Sequence, residues 1–582
     1  MNSNKYKDNI YELRYITDLK DMVDSSARLF PDHVAYYVKD VRGGEYRPIM
    51  YPEVKADIDA LGTKLIDLGL KNEKVAVIGE NSYEWIISYL AVTNGCGVAV
   101  PLDRELPSDE IINLMTRAGV KAIIYSKKMK GVVTEALESF EDQKISICMD
   151  PKEEEEGVYA LKDLIAEGKE MIAGGNDSFV NAEIDREAMC ALLFTSGTTG
   201  LAKGVMLSHK NISANVYNMS KYIKIREDGI GLSVLPMHHT YELTCHIFTS
   251  FYQGIAVAIC EGLKYIQKNM KEIHATVMLG VPLVFESMHK KIFKQADASG
   301  NGRKLRAMIA LSKRLKLYNN QTLIRKLFKQ IHNSTGGEMT QFISGGAAID
   351  PHVIEDFEAM GIPMIQGYGM TENAPIIAVN RDCCSRADAA GFVMPGTEVK
   401  IIEPDNKGVG EVICRGPSVM IGYYNDPVMT DQVLKDGWLY TGDLGYMDNE
   451  GYLYICGRKK NVIVTKNGKN IFPEEVEYYL QSSPYIAEAL VHGVKDETTG
   501  DTIVKAEIFP DYDTIQEQIG DMSESGWKQF FKETIDDIND RMPLYKRVKR
   551  YNIRETEFSK TTTRKIKRHT AANYSDENSQ NL

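Results

Sequence analysis

Hydroxyl groups, glycines and one lysine follow directly on an apolar run of the sequence. Residues 191–194 read as a buried strand, and the polar residues after it are Thr195, Ser196, Gly197, Thr198, Thr199, Gly200 and Lys203. Glycines let the backbone N–H groups turn towards a common point, the hydroxyls add donors, and the lysine adds a positive charge. The segment 195–204 therefore predicts a loop that binds phosphate.

The spacing within this loop differs from that of the P-loop of nucleoside triphosphatases. The P-loop pattern needs a glycine, four residues, and then Gly-Lys and a hydroxyl residue. Because the residue five positions after Gly197 is Ala202, an ordinary P-loop is disfavoured. A flexible linker is the other interpretation, and it is disfavoured because the apolar run 205–207 follows the loop at once.

Further clusters of glycine, hydroxyl and charged residues come later in the sequence. They are Gly345-Gly346-Ala347, Gly367-Tyr368-Gly369-Met370-Thr371-Glu372, Thr441-Gly442-Asp443, Gly457-Arg458-Lys459-Lys460 and the basic segment 560–568. The ring of Tyr368, between two glycines, can stack on a purine, and Glu372 offers a hard oxygen ligand for Mg²⁺. Asp443 can accept hydrogen bonds from two vicinal hydroxyls. These residues indicate a site for a nucleotide and a divalent cation.

In this order the motifs resemble those of the ANL adenylating superfamily, which contains acyl- and aryl-CoA synthetases, adenylation domains of peptide synthetases and beetle luciferases. The resemblance runs from about residue 25 to about residue 570. It implies that ATP and a carboxylic acid react to give acyl-AMP and pyrophosphate, and that a thiol then displaces AMP. Details of the motifs are similar to those of the long-chain fatty acid–CoA ligase group.

The resemblance assigns binding roles to most of these residues. It places ATP and AMP at Thr195, Ser196, Gly197, Thr198, Thr199, Gly200, Lys203, Gly345, Gly346, Ala347, Gly367, Tyr368, Gly369, Met370, Thr371, Asp443, Arg458 and Lys565. It places Mg²⁺ at Thr198 and Glu372, and it counts Thr371 and Glu372 with Lys565 and His239 as catalytic. The cofactors implied are therefore Mg²⁺, ATP and CoA.

Lys565 is the residue that we expect to catalyse the first step. A carboxylate that attacks the α-phosphate brings two anions together, so a cation must neutralise charge on both. Lys565 matches the lysine of the family by position, although Arg564 stands where the family usually has glycine. A second departure is Ala202, where proline is common, and it removes no donor.

The resemblance also implies a moving domain. Lys460 matches the hinge of the family, about which a small domain swings to bring first Lys565 and then the segment 464–470 to the site. In that segment Gly468 and Lys469 are expected to bind CoA, because a glycine lets the thin pantetheine arm pass close to the backbone.

The choice of acid depends on weaker signals. His239, in the segment 236–242, matches a family residue that borders the acyl carboxylate, and it points to a medium- or long-chain fatty acid. The apolar residues between 232 and 285 suit a long tunnel, but a packed core would need them equally. An aryl or other carboxylic acid stays open, and an acyl carrier protein is the alternative acceptor to CoA.

Strand-like and helical patterns alternate along most of the chain. Examples of the strands are residues 75–81, 122–125, 256–259 and 276–279, and their alternation with helices predicts α/β layers. We predict a large N-terminal AMP-binding domain over 1–459, with a β-rich subdomain at about 395–457. A small mobile α+β lid domain over 460–570 and a disordered polar tail over 571–582 complete the prediction.

Composition excludes several classes of function. A formal charge of −12 disfavours nucleic-acid binding, and nine cysteines without a C-x-x-C pair disfavour a zinc site. The sequence has no apolar run of spanning length and no signal core, so we expect a cytoplasmic protein. The stretch 290–340 is rich in Lys, Arg and Leu at helical spacing, which fits a solvated helical hairpin or a surface in peripheral contact with a membrane.

Overall fold

The structure is a computed structural model of the 582-residue chain. It describes residues 10–140, 144–151, 153, 156–195, 202–465, 469–496, 500–561, 565–568, 570, 574, 580 and 581. The chain divides into two compact units. Unit 1 consists of Met1–Glu398, Cys414–Leu439 and Asn449–Tyr452, and unit 2 consists of Val399–Ile413, Tyr440–Asp448 and Leu453–Leu582.

The strands in the described part of the chain are short and mostly apolar. In chain order they are β1 (Val34–Val38), β2 (Arg47–Met50), β3 (Lys74–Ile78), β4 (Val98–Leu102), β5 (Ala122–Tyr125), β6 (Ile145–Cys148), β7 (Val158–Ala160), β8 (Met189–Thr195), β9 (Lys203–Ser208), β10 (Ile230–Ser233), β11 (Ala256–Ile259), β12 (Val277–Gly280), β13 (Gln341–Ser344), β14 (Met364–Gly369), β15 (Ile376–Val379), β16 (Gly391–Val393), β17 (Glu398–Ile402), β18 (Gly410–Arg415), β19 (Gly422–Tyr423), β20 (Leu434–Lys435), β21 (Trp438–Met447), β22 (Tyr452–Arg458), β23 (Ile463–Val464), β24 (Asn470–Ile471), β25 (Ile486–Lys495), β26 (Thr502–Pro510), β27 (Val548–Ile553) and β28 (Gln580–Asn581).

The α-helices alternate with these strands. In chain order they are α1 (Leu19–Leu29), α2 (Tyr51–Asp67), α3 (Tyr83–Ala91), α4 (Ser108–Ala118), α5 (Lys130–Glu138), α6 (Leu161–Ala173), α7 (His209–Ser220), α8 (Thr240–Glu242), α9 (Thr249–Gln253), α10 (Ile266–Ile273), α11 (Pro282–Ala298), α12 (Gly302–Leu315), α13 (Gln321–Leu327), α14 (Lys329–Ser334), α15 (Pro351–Ala359), α16 (Pro427–Val433), α17 (Pro473–Gln481), α18 (Tyr512–Gln518) and α19 (Glu524–Asn539). Within the ranges that the structure describes, no helix is both long enough and apolar enough to cross a membrane.

Unit 1 is built on two largely parallel sheets. Nine of its strands are hydrogen-bonded in the order β16-β15-β14-β13-β12-β10-β11-β1-β2, and eight others in the order β19-β9-β8-β4-β3-β5-β6-β7. Every residue of β5 and β12 is buried, as expected for parallel strands that helices cover on both faces. This arrangement confirms the predicted α/β layers.

The carboxyl ends of four parallel neighbours in the first sheet lie at one edge. These strands are β10, β12, β13 and β14, and they end at Ser233, Gly280, Ser344 and Gly369. A continuous apolar core that includes Phe285, Ile309 and Phe342 packs around them. Ligands of open α/β sheets bind beyond such an edge, so the fold brings several of the predicted motifs to a suitable place.

Unit 2 combines antiparallel strands with an α+β layer. Strands β21 and β22 pair in antiparallel register, with Asp443 opposite Arg458. A four-stranded sheet has the order β25-β26-β27-β28, and its buried face packs on α17 and α19 through residues such as Val476, Phe531 and Ile535.

The C-terminal tail differs in part from the disordered tail predicted over 571–582. Gln580 and Asn581 form β28, which pairs with Tyr551 and Arg550 of β27. The physical reason is that β27 has a free edge, whose unpaired backbone groups favour the addition of a further strand. The prediction is therefore wrong for these two residues, and the remaining tail residues except Tyr574 lie outside the described part of the chain.

Candidate active site

A single tyrosine contacts two charged residues that the sequence places in the nucleotide site. Lys203 begins β9, and Tyr423 lies in β19, which pairs with β9. The Nζ atom of Lys203 lies 5.1 Å from the centroid of the Tyr423 ring, and the Tyr423 hydroxyl donates to Oε1 of Glu372 at 2.7 Å. Tyr423 therefore connects the lysine of the predicted phosphate loop with the predicted Mg²⁺ ligand.

The two ends of the predicted phosphate loop are fixed by strand pairing. Thr195 and Lys203 are Cα partners in the antiparallel pair of β8 and β9. The loop residues Ser196, Gly197, Thr198, Thr199 and Gly200 lie outside the described residues, as does Gly468 of the segment predicted to bind CoA. Their roles stay predictions.

Glu372 is held by its backbone as well as by its side chain. It lies in a short 3₁₀ turn, Thr371–Asn373, and its carbonyl oxygen accepts a hydrogen bond from the Met420 backbone N–H at 2.9 Å. The side-chain amide of Asn215, on α7, donates to the carbonyl oxygens of Asn373 and Ile376 and fixes the turn. The carboxylate therefore has a defined direction before any ligand binds.

One carboxylate suits Mg²⁺ in a nucleotide site. Mg²⁺ is usually held by one or two carboxylates together with substrate phosphates and water, and not by a cage of protein ligands. Glu372 supplies such an oxygen, and the Tyr423 hydroxyl holds its carboxylate through a hydrogen bond to Oε1 at 2.7 Å. Among the described residues no group of three or more His, Cys, Asp or Glu side chains could hold a metal ion, so a metal cage is not an alternative there.

Gly345 is needed for a close contact with an aromatic ring. It follows β13, and a Cβ atom at this position would lie 2.6 Å from Cζ of Tyr241. The Tyr241 hydroxyl donates to the carbonyl oxygen of Ile343 at 3.1 Å, which fixes the ring there. Gly346 has a φ of +85°, and both Gly346 and Ala347 are exposed. The sequence predicts that glycine is needed here to leave room for a purine. The structure adds a second reason, because any larger residue would overlap the Tyr241 ring.

The motif around Tyr368 lies at the end of β14. Tyr368 and Gly367 are partly buried, while Gly369 is exposed. A Cβ atom at Gly369 would lie 2.1 Å from the carbonyl oxygen of Pro375, so this position requires glycine. The backbone N–H of Met370 donates to the same oxygen at 2.9 Å, and the chain then enters the turn that carries Thr371 and Glu372.

Asn81 fixes the segment that leads to His239. It follows the carboxyl end of β3, where its side-chain amide donates to the Leu235 carbonyl oxygen at 2.6 Å and accepts from the Met237 backbone N–H at 3.1 Å. The rings of His238 and His239 follow, with their centroids 4.1 Å apart. Asn81 thus ties the loop after β10 to the second sheet of unit 1.

The side chain of His238 is largely withdrawn from solvent. Burial and, to a smaller extent, the positive charge of Arg104 together lower its pKa to about 3. Its Nε2 atom lies 3.6 Å from Oδ2 of Asp103 and has no hydrogen-bond partner among the described residues. The imidazole is therefore neutral at physiological pH, and it can act only as a neutral donor or acceptor there.

Two buried hydroxyls also lie at the carboxyl edge of the sheet. Ser233 ends β10 and Ser344 ends β13. Both residues are fully buried, and neither Oγ atom has a hydrogen-bond partner in the part of the chain that the structure describes. Buried hydroxyls usually have a partner, so these two groups are consistent with a ligand or water at this edge.

Unit 2 brings three predicted residues together from distant positions in the sequence. Nε of Arg458 lies 2.9 Å from Oδ1 of Asp443, which is buried, and its Nη1 donates to the Thr441 carbonyl oxygen at 2.9 Å. The pKa of Lys565 is lowered from its ordinary value, first by loss of water around the ammonium group and then by Arg458, while Asp443 acts in the opposite direction. Because the residue as a whole is exposed, solvent moderates this shift.

The backbone on both sides of Lys565 is hydrogen-bonded. The Thr561 N–H donates to the Lys565 carbonyl oxygen at 2.8 Å, and the Lys565 N–H donates to Oγ1 of Thr561 at 3.1 Å. Lys560 and Ile566 form an isolated antiparallel bridge, and Lys560 makes an ion pair with Glu557 at 2.9 Å. Lys565 therefore lies on a fixed backbone next to its predicted partners.

The predicted hinge and CoA residues also lie in unit 2. Lys460 is exposed in the 3₁₀ turn Lys459–Asn461, directly after β22. Lys469 precedes β24, its N–H donates to Oγ1 of Thr465 at 3.1 Å, and its Nζ lies 4.5 Å from the centroid of the Tyr545 ring. Lys469 is thus an exposed cation directly before β24, which pairs with β23 in antiparallel register.

Three residues of the site were not assigned a role from the sequence: Tyr423, Tyr241 and Asn81. A polar residue just after a buried parallel strand is a usable signal for Asn81. Tyr241 lies in the segment 236–242, which the sequence analysis singled out for His239 and not for the tyrosine. No local pattern marks Tyr423, because its contacts depend on the pairing of strands more than 200 residues apart.

Two family models and several relatives match this chain. A family described as "AMP-binding enzyme" matches residues 23–424, and "AMP-binding enzyme C-terminal domain" matches residues 460–578. A chloroplastic long-chain-fatty-acid–[acyl-carrier-protein] ligase of Arabidopsis thaliana is 28% identical over 554 residues, covering 83% of this chain and 76% of that protein. Long-chain-fatty-acid–CoA ligase 6 of Mus musculus is 29% identical over 497 residues, covering 80% of this chain and 71% of that protein.

Solved structures share the fold. ATP-bound MatB from Rhodopseudomonas palustris superposes with a TM-score of 0.71 at 24% identity, covering 94% of this chain and 97% of that one. The anthranilate CoA ligase AuaEII in complex with anthranoyl-AMP gives a TM-score of 0.74 at 20% identity, with 98% of each chain covered. The match over residues 23–424 spans more than half of the sequence, and the chain therefore belongs to the AMP-binding enzyme family.

Proposed function

We propose that this protein is an ATP-dependent ligase that converts a medium- or long-chain fatty acid to acyl-AMP and then to acyl-CoA. The observation that carries the proposal is the contact of Tyr423 with both Lys203 and Glu372. It joins a cation that can bind phosphate with a carboxylate that can bind Mg²⁺, and a site for a nucleoside triphosphate needs both. The fatty acid is inferred from the similar proteins, which include ligases of long-chain fatty acids.

In the proposed first step, oxygen of the fatty acid carboxylate attacks the α-phosphorus of ATP, and the bond to the leaving pyrophosphate breaks. Lys203 and residues 195–200 would hold the departing phosphates, and Lys565 would neutralise the charge that develops at the α-phosphate. Mg²⁺, held by Glu372 and Thr198, would offset negative charge on the phosphates. Tyr423 keeps the Glu372 carboxylate in one direction through its 2.7 Å hydrogen bond.

Asp443 and Arg458 would hold the ribose of the nucleotide. Arg458 already occupies Oδ1 of Asp443 at 2.9 Å, so the carboxylate is oriented before the hydroxyls arrive. Tyr368 with Gly345, Gly346, Ala347, Gly367, Gly369 and Met370 would contact the adenine, and Thr371 would contact a phosphate. His239 would border the acyl carboxylate, on a segment that Asn81 fixes.

In the second step a thiolate attacks the acyl carbon, the bond from that carbon to the phosphate oxygen breaks, and AMP leaves. We propose that Lys469 and Gly468 bind CoA and that Lys460 is the hinge of a mobile C-terminal domain of residues 460–570. Lys469 is an exposed cation directly before β24, and a cation of this kind can contact the phosphates of CoA.

An acyl carrier protein is the second candidate acceptor. The observation that favours it is the similarity to the Arabidopsis relative, a long-chain-fatty-acid–[acyl-carrier-protein] ligase. The experiment compares thioester formation from ATP and fatty acids of several chain lengths with CoA and with a phosphopantetheinylated acyl carrier protein. Saturable turnover with CoA supports the proposal. Turnover only with the carrier protein would show that the carrier protein is the acceptor. Turnover only with aryl acids would reject a fatty acid as the substrate.

A further inference from the structure

Two cysteines stand next to each other in a tight turn of unit 1. Cys383 and Cys384 come a few residues after β15, and the Cys384 backbone N–H donates to the carbonyl oxygen of Arg381 at 3.2 Å, which closes the turn. Cys383 is the one exposed cysteine among the nine of the chain, all of which the structure describes, and Cys384 is partly buried. The pair is therefore open to small reagents, and the proposed adenylate chemistry does not use it.

The side chains of the two cysteines face each other. Their Sγ atoms lie 2.9 Å apart, with one thiol donating a hydrogen bond to the other. Burial first, and then the hydrogen bond and the charge of Cys383, raise the pKa of Cys384, so that Cys384 stays a thiol. Cys383 is the sulfur that a reagent in solution reaches, and Cys384 holds a second thiol beside it. An accessible cysteine next to a second one that can react with it is the arrangement of redox-sensitive proteins.

We propose that Cys383 and Cys384 are a modification site at which hydrogen peroxide forms a disulfide between the two adjacent residues. The thiolate sulfur of Cys383 attacks one oxygen of the peroxide, the O–O bond breaks, hydroxide leaves, and Cys383 becomes a sulfenic acid. The sulfur of Cys384 then attacks the sulfur of Cys383, the S–O bond breaks, and water leaves with the proton of the Cys384 thiol. The two cysteines lose two electrons, which reduce the peroxide to water and hydroxide.

A disulfide between neighbouring residues is easily reduced. Consecutive Cα atoms across a trans peptide bond lie about 3.8 Å apart, whereas the Cα atoms of ordinary disulfides lie about 4.4–6.8 Å apart. A bridge between Cys383 and Cys384 is therefore strained, and strained or exposed disulfides are the ones that free thiols reduce readily. The modification is for this reason reversible, and it does not serve as a permanent cross-link.

Hydrogen bonds connect this turn with the strand that carries Tyr368. Asn380, two residues before Asp382 of the turn, donates from its backbone N–H to the Gln366 carbonyl oxygen at 2.9 Å. The side-chain amide of Gln366 donates to the Ala387 carbonyl oxygen, on the other side of the turn, at 2.6 Å. Gln366 lies in β14, two residues before Tyr368. The disulfide changes the backbone between these two contacts, so it reaches the strand of the candidate active site. Its formation is independent of the proposed function, whereas its effect on ATP rests on that function.

The first test follows the disulfide by mass spectrometry of the full-length protein after treatment with hydrogen peroxide. Trypsin releases residues 382–386, which contain both cysteines and no methionine. We expect this peptide to lose about 2 Da, the mass of two hydrogens, and to regain it with reduced glutathione. In Cys384→Ser the peptide should gain oxygen instead, because the sulfenic acid has no second thiol to react with. Cys456→Ser, at a partly buried cysteine of unit 2, is the matched control and should keep the loss. No loss of mass in the wild type, the same loss in Cys384→Ser, or a disulfide that links two chains would overturn the proposal.

The second test measures whether the disulfide affects the strand of the candidate active site. Hydrogen–deuterium exchange of the Asn380 amide, which donates to Gln366, should be faster in the oxidised protein and should return to its first rate after reduction. The oxidised protein should also need about threefold more ATP or above for half-maximal ATP–pyrophosphate exchange, and Cys383→Ser should not respond to peroxide. ATP–pyrophosphate exchange that is absent from the reduced protein would count against the proposed function and not against the modification. Unchanged deuterium exchange at Asn380 in fully oxidised protein would overturn the connection to the site.

Discussion

Tyr423 contacts a cation with its ring and an anion with its hydroxyl. The ring faces Nζ of Lys203 at 5.1 Å, and the hydroxyl donates to Oε1 of Glu372 at 2.7 Å. Tyr423→Phe keeps the ring and removes only the hydrogen bond. A hydrogen bond to a charged group contributes about 1.5–3 kcal/mol, so we expect adenylate formation to fall by roughly tenfold or more.

The cause of this loss can be separated from loss of folding. If Tyr423 acts by orienting Glu372, the variant should need a higher Mg²⁺ concentration for half-maximal ATP–pyrophosphate exchange. Tyr424→Phe, at the next position of the chain, is the control and should leave the Mg²⁺ dependence unchanged. An unchanged Mg²⁺ requirement in Tyr423→Phe would contradict the role given to the hydroxyl.

A second prediction at the residue scale concerns the role of Lys565 in adenylate formation. Its side chain lies close enough to Arg458 and Asp443 for both charges to affect its pKa, which is lowered. Lys565→Ala should reduce adenylate formation on the order of 10²-fold or more, because it removes a cation from the developing charge at the α-phosphate. ATP–pyrophosphate exchange measures this step directly.

Lys567, two residues further along the chain, is the control for the Lys565→Ala variant. Lys567→Ala removes a charge two residues away, and we expect exchange to stay within about threefold of the wild type, since an exposed charge at that distance contributes little. Thioester formation from chemically supplied acyl-AMP should survive in Lys565→Ala. Near-normal exchange in Lys565→Ala would remove the lysine from the first step.

At the scale of elements, Gly345 decides how β13 meets the helix that begins after His239. A methyl group at Gly345 would lie 2.6 Å from Cζ of Tyr241, whose hydroxyl is bound to the Ile343 carbonyl oxygen. Gly345→Ala should therefore displace the Tyr241 ring and destabilise the protein by about 1–3 kcal/mol, as overpacking usually does. Exchange activity should fall with it.

Two further variants make this prediction specific. Gly131→Ala, in α5, adds a methyl group where no atom lies within 4 Å, and it should stabilise slightly because alanine favours a helix. Gly345→Ala/Tyr241→Leu relieves the overlap and should recover part of the lost melting temperature. Equal melting temperatures for Gly345→Ala and the wild type would show that the contact imposes no constraint.

His209 links two helices and makes their packing sensitive to acid. Its Nδ1 accepts from the Leu19 N–H of α1 at 3.3 Å, and its Nε2 lies 3.0 Å from the carbonyl oxygen of Thr93. Burial lowers the pKa of His209 to about 4, against an opposing effect of Asp18. The unfolded chain takes up this proton at a higher pH, so the stability contribution is complete above pH 6.5 and is lost as the pH falls towards 4.

The expected size of the acid effect follows from this shift. His209→Gln keeps a donor and an acceptor but does not titrate, so its unfolding free energy should fall by about 2 kcal/mol less than that of the wild type between pH 7 and pH 5. Urea unfolding at the two pH values measures the difference. His352→Gln, at an exposed histidine, should leave the pH dependence unaltered, and the same result for His209→Gln would contradict the account.

Local patterns were sufficient to predict many of the elements and insufficient for several of the contacts. The apolar runs at 122–125 and 256–259 are β5 and β11 with the same bounds, because a fully buried parallel strand has an unbroken apolar sequence. The contact of Tyr423 with Lys203 could not be read in this way, since it depends on β19 pairing with β9. Gly345 was recognised as a special glycine, but its aromatic neighbour comes from another element.

At the scale of the whole molecule, the candidate residues fall into two sets. Lys203, Glu372, Tyr368 and Gly345 belong to unit 1, and Asp443, Arg458 and Lys565 belong to unit 2. The two family matches, over 23–424 and 460–578, divide the chain in a similar but not identical way. From the sequence, the two sets could be assigned to one function only through the order of their motifs. No hydrophobic periodicity relates residues that lie so far apart in the chain.

The charge of the molecule is also distributed unevenly. A chain with a net charge of −12 keeps twelve basic residues within 290–329, on helices whose outer leucines are exposed. A solvated hairpin would need the charges but not the leucines. The sequence left both interpretations open, and a peripheral contact with a membrane stays a prediction.

The central claim is that the chain activates a fatty acid through its adenylate. Its most direct test is the exchange of labelled pyrophosphate into ATP by the purified protein with Mg²⁺ and a long-chain fatty acid, in the absence of CoA. The account predicts exchange that requires the fatty acid and is lost in Lys565→Ala. Exchange that is absent with every carboxylic acid tested, or that proceeds equally without any acid, would contradict it.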